Sequence, residues 1–334
     1  MSAGARTVHA RAALRCVALT AALVMAQGQA VAQAPGAVPR IGVLSFFATP
    51  SEGHPDPTEA GFQRGLHEAG YVEGRNIRIE RRYASGNPDR LAAMAEELVR
   101  LKVDVILAGG QPPREALRRA TKTIPIVTLS GSDPVREGWA QSLAHPGGNV
   151  TGLTFTFPEL GPKRLELLKE AAPAMSRVAL LIDPVDHVDV VRETEAAARR
   201  LGLQLEILEV HGAEDFAAAF ERARRNRSQA LFAVAMWPHR ARVAALALDA
   251  HLVSAGETSE EAQAGFLLAY GADLDDLVRR SVAQMDKILK GARPADLPIE
   301  RPTKFRLSLN LKTARALGIT LPQSLLLRAD EVIR

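Results

Sequence analysis

Along this chain short apolar runs alternate with longer amphipathic ones. The runs at 41–47, 103–108 and 124–129 have the length and composition of buried strands. Residues 76–83 alternate Ile77, Ile79, Arg81 and Tyr83 against polar neighbours, the period of a half-exposed edge strand. Between these runs, 58–70 places Phe62, Leu66 and Ala69 on one helical face and stops at Gly70. A second helix carries Leu91, Met94, Leu98 and Leu101 behind Asn87-Pro88-Asp89, where Asn87 can cap and Pro88 fits a first turn. A third is predicted from Pro113 to about Thr121. The cadence then restarts, with strands at 178–182, 204–210 and 230–236 and helices at 159–172, 190–202, 215–226 and 240–251. It breaks at the end: a strand at 266–270, a helix at 273–290 with Leu274, Leu277, Val278, Met285, Ile288 and Leu289 on one face, a strand at 305–309, and a helix from Leu311 closed by Gly318. A βα alternation run twice predicts an α/β protein of two lobes, each with a parallel sheet.

Composition agrees. The 334 residues are 47% hydrophobic and 4% aromatic, enough chain for about two domains of roughly 150 residues each. Residues 1–32 have the layout of a secretory signal peptide: Arg6, His9, Arg11 and Arg15 first, an apolar core over 17–25, then a small-residue stretch with a plausible cut after Ala32. That core falls well short of the roughly 20 residues needed to span a bilayer. Cys16 precedes it and follows Arg15, which argues against lipidation. Residues 33–39 form a Pro/Ala/Gly tether. The formal net charge is +4. Without Arg6, Arg11 and Arg15 the balance is 39 basic against 38 acidic residues, or +1. A near-neutral body gives no electrostatic argument for nucleic acid or an anionic membrane surface. The lone Cys16 excludes a disulfide framework and multi-cysteine metal sites. The expectation is a periplasmic protein that does not span the membrane.

Catalytic signatures are missing. The sequence holds no GxSxG, HExxH, GxxxxGK or GxGxxG. Asp183, Asp186, His187 and Asp189 are the densest acid–histidine cluster; a loop capping the next helix explains it better than a metal site. What stands out is a set of polar, glycine-containing turns at predicted strand ends, the edge where parallel α/β sheets bind ligands. These are Ser45-Phe46-Phe47; Gly109-Gly110-Gln111 before Pro112-Pro113, whose backbone N–H groups and helix dipole would suit a carboxylate; and Ser130-Gly131-Ser132-Asp133-Pro134, where Asp133 can pair with an ammonium. Asp183-Pro184 and Met236-Trp237 hold the corresponding ends in the second half. Trp237 and Tyr270 can stack on a flat ligand or serve as ordinary core.

Several runs carry a resemblance. They are Phe62-Gln63-Arg64-Gly65-Leu66 with Glu68 through Asn76 (EAGYVEGRN), Ser132-Asp133-Pro134-Val135, His145-Pro146-Gly147-Gly148-Asn149-Val150-Thr151-Gly152, Lys163 through Leu168, Asp286 through Ala292, and Asn310-Leu311-Lys312-Thr313-Ala314. Together they resemble the bacterial ABC-transporter substrate-binding proteins that include tryptophan and tyrosine uptake binding proteins. The resemblance implies a type I periplasmic-binding fold of two Rossmann-like lobes with three hinge crossings near 151–157, 266–270 and 297–307. It divides the chain into a first lobe of 40–151 plus 270–295 and a second of 152–269 plus 296–334. By position it implies a cleft of Ser45, Gly110, Gln111, Ser132, Asp133, Thr154 and Asp183, to which the strand-end aromatics Phe46, Trp237 and Tyr270 are added. It further implies a small polar or aromatic ligand, an ABC permease and its ATPase as partners, and no cofactor or chemistry of its own. A ligand sensor for a membrane receptor and an exported α/β enzyme are the alternatives. The stretch 254–263 (SAGETSEEAQ) departs from the family by being more acidic and less aromatic. Its carboxylates suit a cationic group on the ligand, and the loss of the aromatic and arginine that relatives carry there argues against assuming tryptophan.

Overall fold

The computed structural model describes residues 38–46, 58–131, 133–154, 160–183, 188–234, 236 and 239–334. The expected signal peptide and most of the tether lie outside these residues, as do Ser132, Trp237 and the first crossing after Thr154.

Two sheets organise the chain. The first has the order β2-β1-β3-β4-β5, formed by β1 (Arg40–Ser45), β2 (Arg78–Tyr83), β3 (Val105–Gly109), β4 (Ile126–Ser130) and β5 (Val150–Thr154), all parallel. β3 and β4 read VILAG and IVTLS and are buried almost throughout. That near-continuous apolar content is what a strand covered on both faces requires. β2, RIERRY, is half-exposed and lies at the edge, where its charged residues blunt pairing with another chain. Helix α1 (Glu59–Glu68) covers one face, with α2 (Asp89–Arg100) and α3 (Gln111–Ala120) on the other, over two separate apolar clusters. α3 begins two residues before the expected Pro113, because Pro112 and Pro113 fit a first helical turn.

The second sheet has the order β12-β11-β10-β9-β8-β6-β7. Its strands are β6 (Arg177–Ile182), β7 (Gln204–Glu209), β8 (Ala230–Val234), β9 (Val253–Gly256), β10 (Leu268–Ala272), β11 (Phe305–Asn310) and β12 (Glu331–Ile333). Among the described residues only β10 and β11 pair antiparallel. Helices α4 (Leu160–Ala171) and α5 (Val188–Arg200) cover one face, and α6 (Phe216–Arg225) and α7 (Arg240–Asp249) the other. The short α8 (Ser259–Ala264) links β9 to β10.

Helix α9 (Leu274–Leu289) leaves the second sheet and packs against α1 of the first lobe, contributing Leu277, Val278, Val282 and Met285 to the core beside Phe62 and Leu66. The chain then returns: Glu300 N–H donates to Gly152 O, and Thr154 N–H to Glu300 O, before β11 rejoins the second sheet. The chain therefore passes between the lobes three times. β5 continues the first sheet to Thr154, and β10 stays in the second to Ala272, so the sheets divide the chain a few residues later than 151 and 270. Ion pairs knit two of these passages together: Asp276 meets Lys304 at 3.1 Å, and Arg280 reaches both Asp276 and Glu300. Burial pushes the Asp276 carboxyl up, but hydrogen bonds from Arg279 and Lys304 outweigh it and hold the group below its ordinary value.

Several runs that carry the family resemblance have structural work. Asn310 caps α10 (Leu311–Ala316), its side chain accepting from the N–H groups of Lys312 and Thr313 while donating to Ala262 O. Asn76 closes the turn after α1 by accepting from Val72 N–H and donating to Gly70 O. Tyr71 donates to Asp286 on α9 at 3.0 Å; burial first, then that carboxylate, pushes its phenol up to about 12.

Candidate functional site

Parallel pairing brings the carboxyl ends of the first-lobe strands into one row: Tyr83, Ser45, Gly109 and Leu129 stand in register, with Thr154 opposite Ser130. Facing that row is the turn after β9. Between them lies a cleft of about 160 Å³, comparable to a cavity of about 150 Å³ that holds a benzene ring. The first lobe lines it with Gly109, Gly110 and Leu129, and Thr58, at the cap position before α1, adds to them. The second lobe supplies Arg164, Glu257 and Thr258. Ala272, Leu274 and Leu277, where the chain crosses into α9, close one side. An apolar body with a few polar groups converging on one end is the usual character of a small-molecule site.

The polar end is held from several directions. Arg164 is 4% exposed, yet it lines the cleft. Its Nε donates to Tyr270 O at 2.7 Å, its Nη1 to Glu257 Oε1 at 3.1 Å, and its guanidinium lies 5.6 Å from the Phe232 ring centre. Glu257 is anchored through its backbone: its N–H and that of Thr258 both donate to one carboxylate oxygen of Glu261. Glu261 is fully buried and completes a capping box with Thr258 at the start of α8. Burial first, then the charge of Glu257, pushes Glu261 well above the ordinary carboxylate value, up to about 8.

The residues named from sequence are spread more widely than the cleft. Gly110 lines it, in a conformation (φ +96°) that a side chain would strain. Ser45 and Thr154 end their strands, buried in the same row. Phe46 packs against the apolar cluster beneath the first sheet. Gln111 opens α3. Asp133 is exposed, and its Oδ1 accepts from the N–H groups of Val135 (2.9 Å) and Arg136 (3.1 Å), so it turns the chain after β4. Asp183 follows β6, half-buried. Tyr270 stacks on Phe305 with ring centres 6.3 Å apart, over the second-lobe core rather than in the cleft. Asp189 pairs with Arg136 and Arg192, and no cluster suited to a metal ion occurs among the described residues.

One expectation needs correction. The Gly110 turn was to offer several N–H groups to a carboxylate. Gly110's own N–H turns back to Ala108 O at 3.1 Å, and Pro112 and Pro113 have none, so Gln111 alone among the first three residues of α3 carries a donor. Conversely, the sequence reading did not assign Arg164 or Glu257, although the first lies in a quoted family run and the second in the acidic stretch.

Two doubly wound lobes, three passages between them and a cleft at facing strand ends make this a type I periplasmic-binding fold. The model of the ABC transporter substrate binding protein family matches residues 40–333, and the chain belongs to that family. It is a substrate-binding protein and not an enzyme. A tyrosine-binding protein of Clostridioides difficile (strain R20291) is 34% identical over 141 residues, 42% of this chain; the match spans 39% of that relative's length. Among solved structures, the ABC domain in complex with L-Trp from Streptococcus pneumonia is 26% identical with a TM-score of 0.78, covering 89% of this chain and 100% of the other. A conserved domain protein from Vibrio cholerae is 25% identical with a TM-score of 0.79, at the same coverage.

Proposed function

We propose that this protein is exported to the periplasm, captures a small amino-acid-like molecule between its lobes, and presents it to an ABC permease and its ATPase. The observation that carries the reading is the cleft itself, lined by Gly109 and Gly110 from one lobe and by Arg164 and Glu257 from the other, so that ligand binding completes contacts from both. In this account Ser45, Thr154 and Gln111 shape the first-lobe rim. The three passages act as hinges. Ligand seats on one wall, the lobes approach, and water is excluded. A micromolar ligand supplies about 8 kcal/mol, which outweighs a closure equilibrium of a few kcal/mol. The L-Trp complex and the tyrosine-binding relative support an aromatic amino acid as the ligand class. No helix among the described residues is long and apolar enough to cross a membrane, which agrees with a carrier working beside a permease.

The test is calorimetric titration of the mature protein with the twenty amino acids and their des-amino acids. Saturable binding of an aromatic amino acid with unchanged compound recovered afterwards supports the proposal. Chemical turnover of the compound, or no binding across the panel, overturns it.

A further inference from the structure

Resting on the proposed capture of an amino-acid-like molecule, we infer that the Arg164–Glu257 pair reads the polar head of the ligand. Glu257 selects a cationic nitrogen, so the cleft takes amino compounds in preference to simple carboxylates.

The two walls of the cleft are chemically unequal. The first-lobe wall offers glycine backbone and Leu129, and the crossing into α9 offers Ala272, Leu274 and Leu277. The helix end that would otherwise hold an anion is depleted of donors, since Pro112 and Pro113 follow Gln111. Among the described lining residues, formal charge resides on Arg164 and Glu257 alone, both on the second lobe.

The pair is built as a fixed element. Arg164 is held by Tyr270 O, by Glu257 and by the ring of Phe232. Glu257 is held through its N–H by Glu261, and its carbonyl lies hard against Gly271 of β10. A Cβ placed on Gly271 would come within 1.9 Å of Glu257 O, so only glycine lets the two segments approach this closely. A charged pair held in this way at the end of an apolar cleft is organised before ligand arrives.

The Glu257 side chain keeps 30% of its surface exposed while Arg164 keeps 5%, so the carboxylate is the more accessible partner. An ammonium meeting Glu257 makes charge-assisted hydrogen bonds. A ligand carrying only a carboxylate meets like charge at the same place, which is discrimination by repulsion as well as by attraction. Arg164 and Glu257 carry opposite charges, and the zwitterionic head of an amino acid, itself neutral, matches the pair without adding net charge to the cleft.

The experiment compares L-tyrosine with 3-(4-hydroxyphenyl)propionate, and L-tryptophan with indole-3-propionate, by calorimetry on wild type, Glu257→Gln and Glu257→Asp. The wild type binds each amino acid more tightly than its des-amino partner. Glu257→Gln lowers amino-acid affinity by about tenfold to a hundredfold, the range for a hydrogen bond to a charged group, and leaves the des-amino compounds unchanged or tighter. Glu257→Asp, which keeps the charge, retains the preference. Wild-type protein that binds both members of a pair equally, or a Glu257→Gln protein with undiminished preference, overturns the inference alone. Wild-type protein that binds none of the four removes the proposed amino-acid ligand and this inference together.

Discussion

Each lobe buries one arginine beside an aromatic ring and a glutamate, and the two arrangements serve different ends. In the first lobe, Arg114 on α3 is fully buried; it lies 4.9 Å from the Trp139 ring centre and donates to Ser130 Oγ at 2.9 Å and to Glu137. Trp139 Nε1 donates to the same Glu137 oxygen at 2.9 Å. Arg114 also reaches the partly exposed Glu115 at 3.3 Å, and the network fixes the end of β4 from behind. In the second lobe, Arg164 sits 5.6 Å from the Phe232 ring centre, but its partner Glu257 faces the cleft. The side chains of Glu137 and Glu257 are 13% and 30% exposed. The difference between scaffold and reader therefore lies in where the carboxylate points, not in the arginine.

Removing one member of a buried pair leaves the other charge without compensation. Arg114→Met, which strands Glu137, should destabilise the protein by about 3–5 kcal/mol, measured by urea denaturation. A loss under about 1 kcal/mol, the scale of an exposed pair, would show that the first-lobe network is not the scaffold described.

Glu261 should give a smaller effect with a distinct pH signature. Its folded pKa, about 8, lies above the ordinary carboxylate value. Its contribution is therefore whole below the unfolded value and is lost as pH rises through 8. Melting temperature of the wild type should fall between pH 6 and 9, and Glu261→Gln, which keeps the cap, should fall less. Parallel slopes would mean that Glu261 is already ionised at neutral pH.

Glu257→Gln should cost less stability than Arg114→Met, because the amide oxygen can still accept from Arg164, so the buried guanidinium loses its counter-charge but keeps its hydrogen bond. A loss comparable to that of Arg114→Met would make Glu257 scaffold and erase the contrast. The smallest effect is expected at Arg136–Asp189, an exposed ion pair between the turn after β4 and α5 of the other lobe. Asp189→Asn should weaken ligand binding by about fivefold or less, the range of a surface pair worth 0.2–1 kcal/mol. A larger change measured by calorimetry would promote that contact to a principal latch.

The scaffold was easier to read from sequence than the reader. Buried parallel strands announce themselves as apolar runs, and β1, β3, β4, β6 and β8 all did. β9 did not: VSAG is short and built of small residues, and it resembles a loop until β8 and β10 flank it. Arg164 and Glu257 were invisible as a pair because 93 residues separate them. They meet only once the return of β10 is known. Asp133 shows a structural role that the sequence reading did not include. A carboxylate at a strand end looks like a ligand group, yet the nearest N–H groups lie two and three residues onward, and it bonds to them.

The account rests on ligand lodging between the lobes against the Arg164–Glu257 pair. The most direct measurement is a crystal structure of the protein grown with saturating L-tyrosine. The predicted result is the aromatic ring against Leu129, Leu274 and Leu277, with the amino nitrogen within hydrogen-bonding distance of Glu257. Ligand density outside the interlobe cleft, or an amino group turned away from Glu257, would contradict it.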